Sequence, residues 1–240
     1  MQTDALGSYH PYQVLRRFAG QLIAFGPAAA LAAVVVASWF YFVRPPSSSR
    51  PPDPRPPAEP QEFAGLPIIG SPAATVGIIG YSEFECPFCG AFARTTMPRL
   101  EKDYIAPGRV AFAFRHFPLA SHPHATGAAQ VASCAGRQGR FREFHDKLFA
   151  AQDRLDEGLP TALAQELGLA MPTLRQCVAD QAPAEVSRDL QLGQSLGVFS
   201  TPTFFVGRIR DGRLVVADVI VGAKPFEDFA AALNRLLRSK

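Results

Sequence analysis

Cys86-Pro87-Phe88-Cys89 stands between two segments of different periodicity, and that placement constrains the fold more than any other feature of the chain. Thr75-Val76-Gly77-Ile78-Ile79-Gly80-Tyr81, before it, reads as a buried strand, and residues 90–104, after it, read as a helix. A Cys-x-x-Cys at a strand-to-helix junction puts its first sulfur at a helix N-terminus. Unpaired backbone N–H groups and the helix dipole favour a thiolate there. The i, i+3 spacing sets both sulfurs on one face within bridging reach. Pro87 suits the first helical turn, where the N–H it lacks would have no partner. Cys86 is therefore expected to attack and carry a mixed disulfide, and Cys89, one turn further in, to resolve it. A static disulfide or half of a zinc site are the competing readings. Cys134 and Cys177 are singletons and no second Cys-x-x-Cys exists, so no metal is expected.

The 240 residues do not read as one body. After a short N-terminal tail, residues 1–17, the segment Phe18–Val43 carries no charged side chain, and Leu22–Val43 is nearly continuous apolar sequence. Such a run makes a helix of about 33 Å, against a bilayer core of about 30 Å. Trp39-Phe40-Tyr41-Phe42 crowd its end, where aromatics favour the membrane interface. A cleaved signal ending at Val35-Val36-Ala37 competes with this reading, but the apolar run continues through the aromatics as an anchor does. Residues 18–43 are thus expected to be a transmembrane signal-anchor helix. Arg16 and Arg17 precede it and Arg44, Arg50 and Arg55 follow it, so charge alone does not orient it.

Residues 44–62 contain eight prolines and read as an extended linker, able to span roughly 60 Å at about 3.1 Å per residue. That leaves residues 63–240 for one folded domain, ample for a single core. Basic and acidic side chains nearly balance there, 19 against 17, and are interspersed, which excludes a nucleic-acid surface.

Within the domain the pattern predicts a strand at 75–81 and a helix at 87–104 kinked by Met97-Pro98. A second strand follows at Arg109–Phe114. Residues 119–197 show only helical spacing. Thr203–Val206, a turn at Asp211-Gly212, a strand Leu214–Val221 and a helix Pro225–Arg238 close the chain. The order β-α-β, helical insert, β-β-α is an α/β arrangement that resembles the thioredoxin fold.

The ordered series Phe84-Glu85-Cys86-Pro87-Phe88-Cys89, Phe114-Arg115-His116-Phe117-Pro118-Leu119, Gly139-Arg140-Phe141, Phe144-His145-Asp146, Leu148-Phe149 and Gly197-Val198-Phe199-Ser200-Thr201-Pro202-Thr203-Phe204-Phe205 resembles the DsbA-like thiol:disulfide oxidoreductases, over Leu66 to Leu236. The resemblance implies that Thr201-Pro202 is the cis-proline position beside the active cysteines, where extended substrate backbone binds. It implies a structural disulfide between Cys134 and Cys177, two buried free thiols being the alternative. It also implies an enzyme that needs no cofactor beyond its Cys86–Cys89 disulfide. Such an enzyme would be a monomer on the extracytoplasmic (periplasmic) side, oxidising client proteins and itself reoxidised by a quinone-linked membrane partner of the DsbB type. A reductase or isomerase, a thioredoxin-fold chaperone and a copper-handling module remain as alternatives.

His116, His122, His124 and His145 lack firm ligand spacing and read as ordinary polar residues, with His116 a candidate to line the substrate groove. In one respect the chain departs from the resemblance. Many relatives place a buried glutamate six residues before the first active cysteine, and Gly80 stands there instead. The nearby acids are Glu83 and Glu85, expected to face solvent, where screening keeps their effect on Cys86 small.

Overall fold

The computed structural model describes residues 53–238; the expected span 18–43 and the first part of the linker lie outside them. Among the described residues no helix is long and apolar enough to cross a membrane. In chain order the elements are β1 (Gln61–Glu62), β2 (Ile68–Ile69), β3 (Val76–Ser82), α1 (Pro87–Thr95), α2 (Met97–Leu100), a π-turn (Glu101–Ile105) and β4 (Val110–His116). The insert follows as α3 (Ala125–Arg137), α4 (Phe141–Ala150), a 3-10 turn (Gln152–Arg154), α5 (Leu159–Glu166), α6 (Met171–Asp180) and α7 (Ala182–Ser195). Then come β5 (Thr203–Arg210), β6 (Arg213–Val221) and α8 (Phe226–Arg238).

These strands form a six-stranded sheet in the order β1-β6-β5-β3-β4-β2. Central β3 pairs in parallel with β4 and antiparallel with β5, which carries the end of the insert back to the strand that begins the cysteine motif. Both faces of β3 are covered, so its sequence is continuously apolar rather than alternating. Ile78, Phe112, Phe114, Phe204 and Val206 belong to the larger core, with Phe92 of α1, insert residues such as Phe144 and Leu148, and Phe229 and Leu233 of α8. Ile79, Tyr81, Ala111, Ala113 and Phe205 belong to a smaller core with Phe117 and Val198, against which Leu190 and Leu196 pack.

Two features lay outside the sequence reading. The sheet takes in Gln61 and Glu62, paired with Leu214 and Arg213, so ordered structure begins inside the stretch expected to be linker. These are the first residues beyond Pro60, where the close-set prolines end and consecutive backbone N–H groups become available for pairing. A Cβ built on Gly197 would stand 3.7 Å from Pro54, so the proline-rich approach lies against the domain at that point. Second, β2 adds two residues to the other edge, too short a run to leave a periodic signature. The interruption expected at Met97-Pro98 falls at Thr96, one residue ahead of it, and the helix resumes as α2 and the π-turn.

The insert is fixed to the sheet by a buried ion pair. Arg115 of β4 donates to Asp189 of α7 at 2.5 Å and to the Glu62 carbonyl at 3.2 Å, while Asp189 also accepts the His116 N–H at 3.1 Å. Within the insert, Cys134 of α3 and Cys177 of α6 form a disulfide across 43 positions of chain.

Candidate functional site: the Cys86–Cys89 junction

Cys86 is the N-cap residue of α1 with extended backbone, Pro87 opens the helix, and the Gly90 N–H closes the first turn onto the Cys86 carbonyl at 3.1 Å. Both cysteines are free thiols with little exposure, 3% for Cys86 and 1% for Cys89. Phe88 between them is 63% exposed, so the surface around the sulfurs is apolar.

The environments of the two sulfurs drive their acidities apart. A hydrogen bond from the Cys89 thiol is the main reason the Cys86 pKa falls to about 5; burial opposes it, and Thr201 with the N–H groups of Cys89 and Phe88 adds to it. The Thr201 hydroxyl is buried with no other partner, free to turn toward the sulfur. Burial, and then the Cys86 thiolate itself, push the Cys89 thiol well above the usual range. Cys86 is thus a stable thiolate at neutral pH and Cys89 a thiol.

The Thr201–Pro202 peptide bond is cis. The Cys86 sulfur lies 3.4 Å from the Thr201 carbonyl, to which it donates only when protonated, and the Pro202 carbonyl accepts the Gly222 N–H at 2.7 Å. Thr201, Pro202, Cys86 and Cys89 are therefore brought together.

The placement expected for Glu83 is corrected. Its side chain is fully buried at 0% exposure, because the residue sits where β3 turns beneath the insert's entrance loop. Its carboxylate accepts the Glu85 N–H at 2.6 Å and is hydrogen-bonded to Nδ1 of His122. Burial raises its pKa, the Glu85 N–H and His122 bonds oppose that rise, and the Cys86 charge adds to it. Glu85 is half-buried and accepts the His124 N–H at 2.7 Å. Partial burial works against protonation of His122, yet the bond to Glu83 and its charge raise the imidazole pKa overall.

His116 does not line a groove. It is 2% exposed among Phe84, Phe114 and Phe141, and burial lowers its pKa. His145 is buried likewise, 2.9 Å from the Asp146 carboxylate. Among the described residues no three His, Cys, Asp or Glu side chains gather as a metal would require.

Gln152 was invisible in the sequence. From the turn after α4 its amide donates to the carbonyls of Phe84 and Cys86, both at 2.8 Å, and so fixes the backbone on either side of Glu85. Gly90 makes room for it: a Cβ there would stand 1.9 Å from the Gln152 Oε1. A lone glutamine 66 residues after Cys86 carries no periodic or motif signal; the glycine directly after the second cysteine was the one available hint.

Comparisons with known proteins agree with this geometry. A family model described as Thioredoxin matches residues 64–220. A Na(+)/H(+) antiporter, NhaA 3, of Salinispora tropica is 38% identical over 148 residues, 60% of this chain, but the match spans only 22% of that protein's length. Disulfide bond formation protein D of Bacillus subtilis is 28% identical over 155 residues, 59% of this chain and 68% of that protein. The crystal structure of alpha-DsbA1 from Wolbachia pipientis superposes with a TM-score of 0.65 over 74% of this chain and 93% of its own, at 24% identity, a likeness of fold. The chain belongs to the thioredoxin family and carries the fold in its DsbA-like form, with a helical insert between β4 and β5.

Proposed function

We propose that the protein is a thiol:disulfide oxidoreductase that oxidises client dithiols, anchored by residues 18–43 with its domain on the extracytoplasmic side. The observation that carries the direction of electron flow is the depressed pKa of Cys86. A thiolate stable at neutral pH favours the reduced form of the couple and makes Cys86 a good leaving group, which is the poise of an oxidant. The likeness to a protein named for disulfide bond formation supports the same direction.

In the oxidised couple a client thiolate attacks the Cys86 sulfur. The Cys86–Cys89 bond breaks, and Cys89 leaves and takes a proton, as its raised pKa requires. A second client thiolate then attacks the client sulfur of the mixed disulfide and releases Cys86 as thiolate. The client loses two electrons and two protons; one proton rests on Cys89 and the other passes to solvent. The Thr201–Pro202 corner and exposed Phe88 flank Cys86 and suit an extended, apolar client segment. The couple itself is the only redox group required, and a quinone-linked membrane partner of the DsbB type would reoxidise it.

The test is single-turnover oxidation of a reduced dithiol peptide by the oxidised full-length protein, followed by mass, beside metal analysis of the purified protein. Stoichiometric peptide oxidation that disappears in Cys86→Ser supports the reading. Oxidation that survives Cys86→Ser, or a stoichiometric copper content, would overturn it.

A further inference from the structure

Glu83 and Glu85 clasp the start of the insert by a matched spacing: the first holds the His122 side chain and the second the His124 N–H. The two bonds differ in kind. The second ties backbone, whereas the first joins a carboxylate with no solvent contact to an imidazole that is 23% exposed. A buried carboxylate needs a partner, and a hydrogen-bonded one that can carry a proton serves best. Glu83 lies three residues before the nucleophile, and its backbone N–H favours the charged form of Cys89. The charge on Cys86 acts on both Glu83 and His122.

We propose that Glu83 and His122 are a positioning pair for the couple: they hold a proton between them beside Cys86, and that proton decides how much negative charge the Cys86 thiolate faces. With one proton the pair is imidazolium and carboxylate, net neutral. When His122 gives the proton up through its exposed edge, a bare carboxylate remains at the junction and opposes the thiolate. The other titratable groups facing the pair are Cys86 and Cys89 of the α1 N-terminus and Glu85, whose charge also acts on His122. Glu83 and His122 are positioning residues, since neither reaches the reacting sulfurs with its side chain in any hydrogen bond found. The pair deepens the oxidoreductase reading and rests on it.

The experiment is a thiolate titration of reduced, full-length variants by ultraviolet absorbance, with peptide oxidation by the unaltered protein run alongside. That second assay reports on the oxidoreductase reading alone. Glu83→Gln removes the negative member and should favour the Cys86 thiolate by at least about threefold, lowering its midpoint. His122→Gln removes the positive member and should raise the midpoint, and the double variant should fall between the two. A purely structural clasp would move both single variants the same way, toward an ordinary thiol. A folded Glu83→Gln protein with an unchanged or raised midpoint overturns the proposal. If Glu83→Gln does not fold, His122→Gln and His122→Lys decide together: a midpoint raised in the first and kept near that of the unaltered protein in the second, which retains the positive charge, supports the pair, and any other result overturns it.

Discussion

The sulfur of Cys86 lies 3.4 Å from the carbonyl oxygen of Thr201, a residue 115 positions later. The segment that leaves β3 and the segment that enters β5 thus meet at one atom, because these two strands are hydrogen-bonded neighbours in the sheet. The whole helical insert is looped out between them; its entrance loop meets the cysteine segment through the His122–Glu83 bond, and Asp189 of α7 ties it to Arg115 of β4. The chemistry of the site therefore depends on contacts far apart in sequence.

Division of labour between the sulfurs gives the first prediction. Cys89→Ser should accumulate a mixed disulfide between Cys86 and a client peptide, because the resolving thiol is gone. Cys86→Ser should form none and exchange no faster than free peptide thiols. Mass spectrometry of acid-quenched mixtures separates the two outcomes.

Stability of the reduced protein should depend on pH through Cys86. Its folded pKa, about 5, lies below the ordinary thiol value of 9.0, so between these limits the unfolded chain binds more protons than the folded one. Stability of the reduced form, measured against the oxidised form, should rise with pH across that window, by at most about 1.4 kcal/mol per unit. It should be lost as pH falls through about 5. Above pH 9 the trend reverses, since Cys89 stays protonated in the fold. Urea unfolding of both redox forms from pH 4 to 9 measures the difference.

Asp189→Ala should destabilise the domain by about 3–5 kcal/mol, because it strands the buried Arg115 guanidinium and a backbone N–H of β4. The cysteine motif and its first-turn bonds do not include Asp189. A urea midpoint gives the magnitude, and residual peptide oxidation in the folded fraction shows whether the loss is confined to stability.

Replacing both Cys134 and Cys177 by serine opens a loop of 43 positions. Chain-entropy reasoning puts the loss at about 4 kcal/mol. Stoichiometric oxidation of peptide at low temperature should persist, since neither residue lies in the Cys86 junction. Thermal unfolding beside the single-turnover assay tests both halves.

Much of the fold was legible because the segments that carry it are long and periodic. The run Val76–Tyr81 and the alternation through Val110–Phe114 each correspond to a strand that buries those residues, and the spacing of Phe226, Phe229, Ala230, Leu233 and Leu237 corresponds to α8, which buries Phe229 and Leu233 fully and the other three in part. Gln61–Glu62 and Ile68–Ile69 are two-residue edge strands, defined only by the partner they meet. The site was legible at its cysteines, where a motif coincides with a change of period. Glu83 was misread as exposed because charge ordinarily signals solvent; only the fold brings His122 over it. Gln152 was missed for the same reason: its two carbonyl partners are supplied by tertiary structure alone.

The central claim is that Cys86 is a stabilised thiolate poised to leave and to attack. Ultraviolet titration of the reduced, full-length protein tests it most directly. The account predicts a thiolate absorbance step with a midpoint near about 5 that is absent in Cys86→Ser. A single step near the ordinary thiol value of 9.0, unchanged in Cys86→Ser, would contradict it.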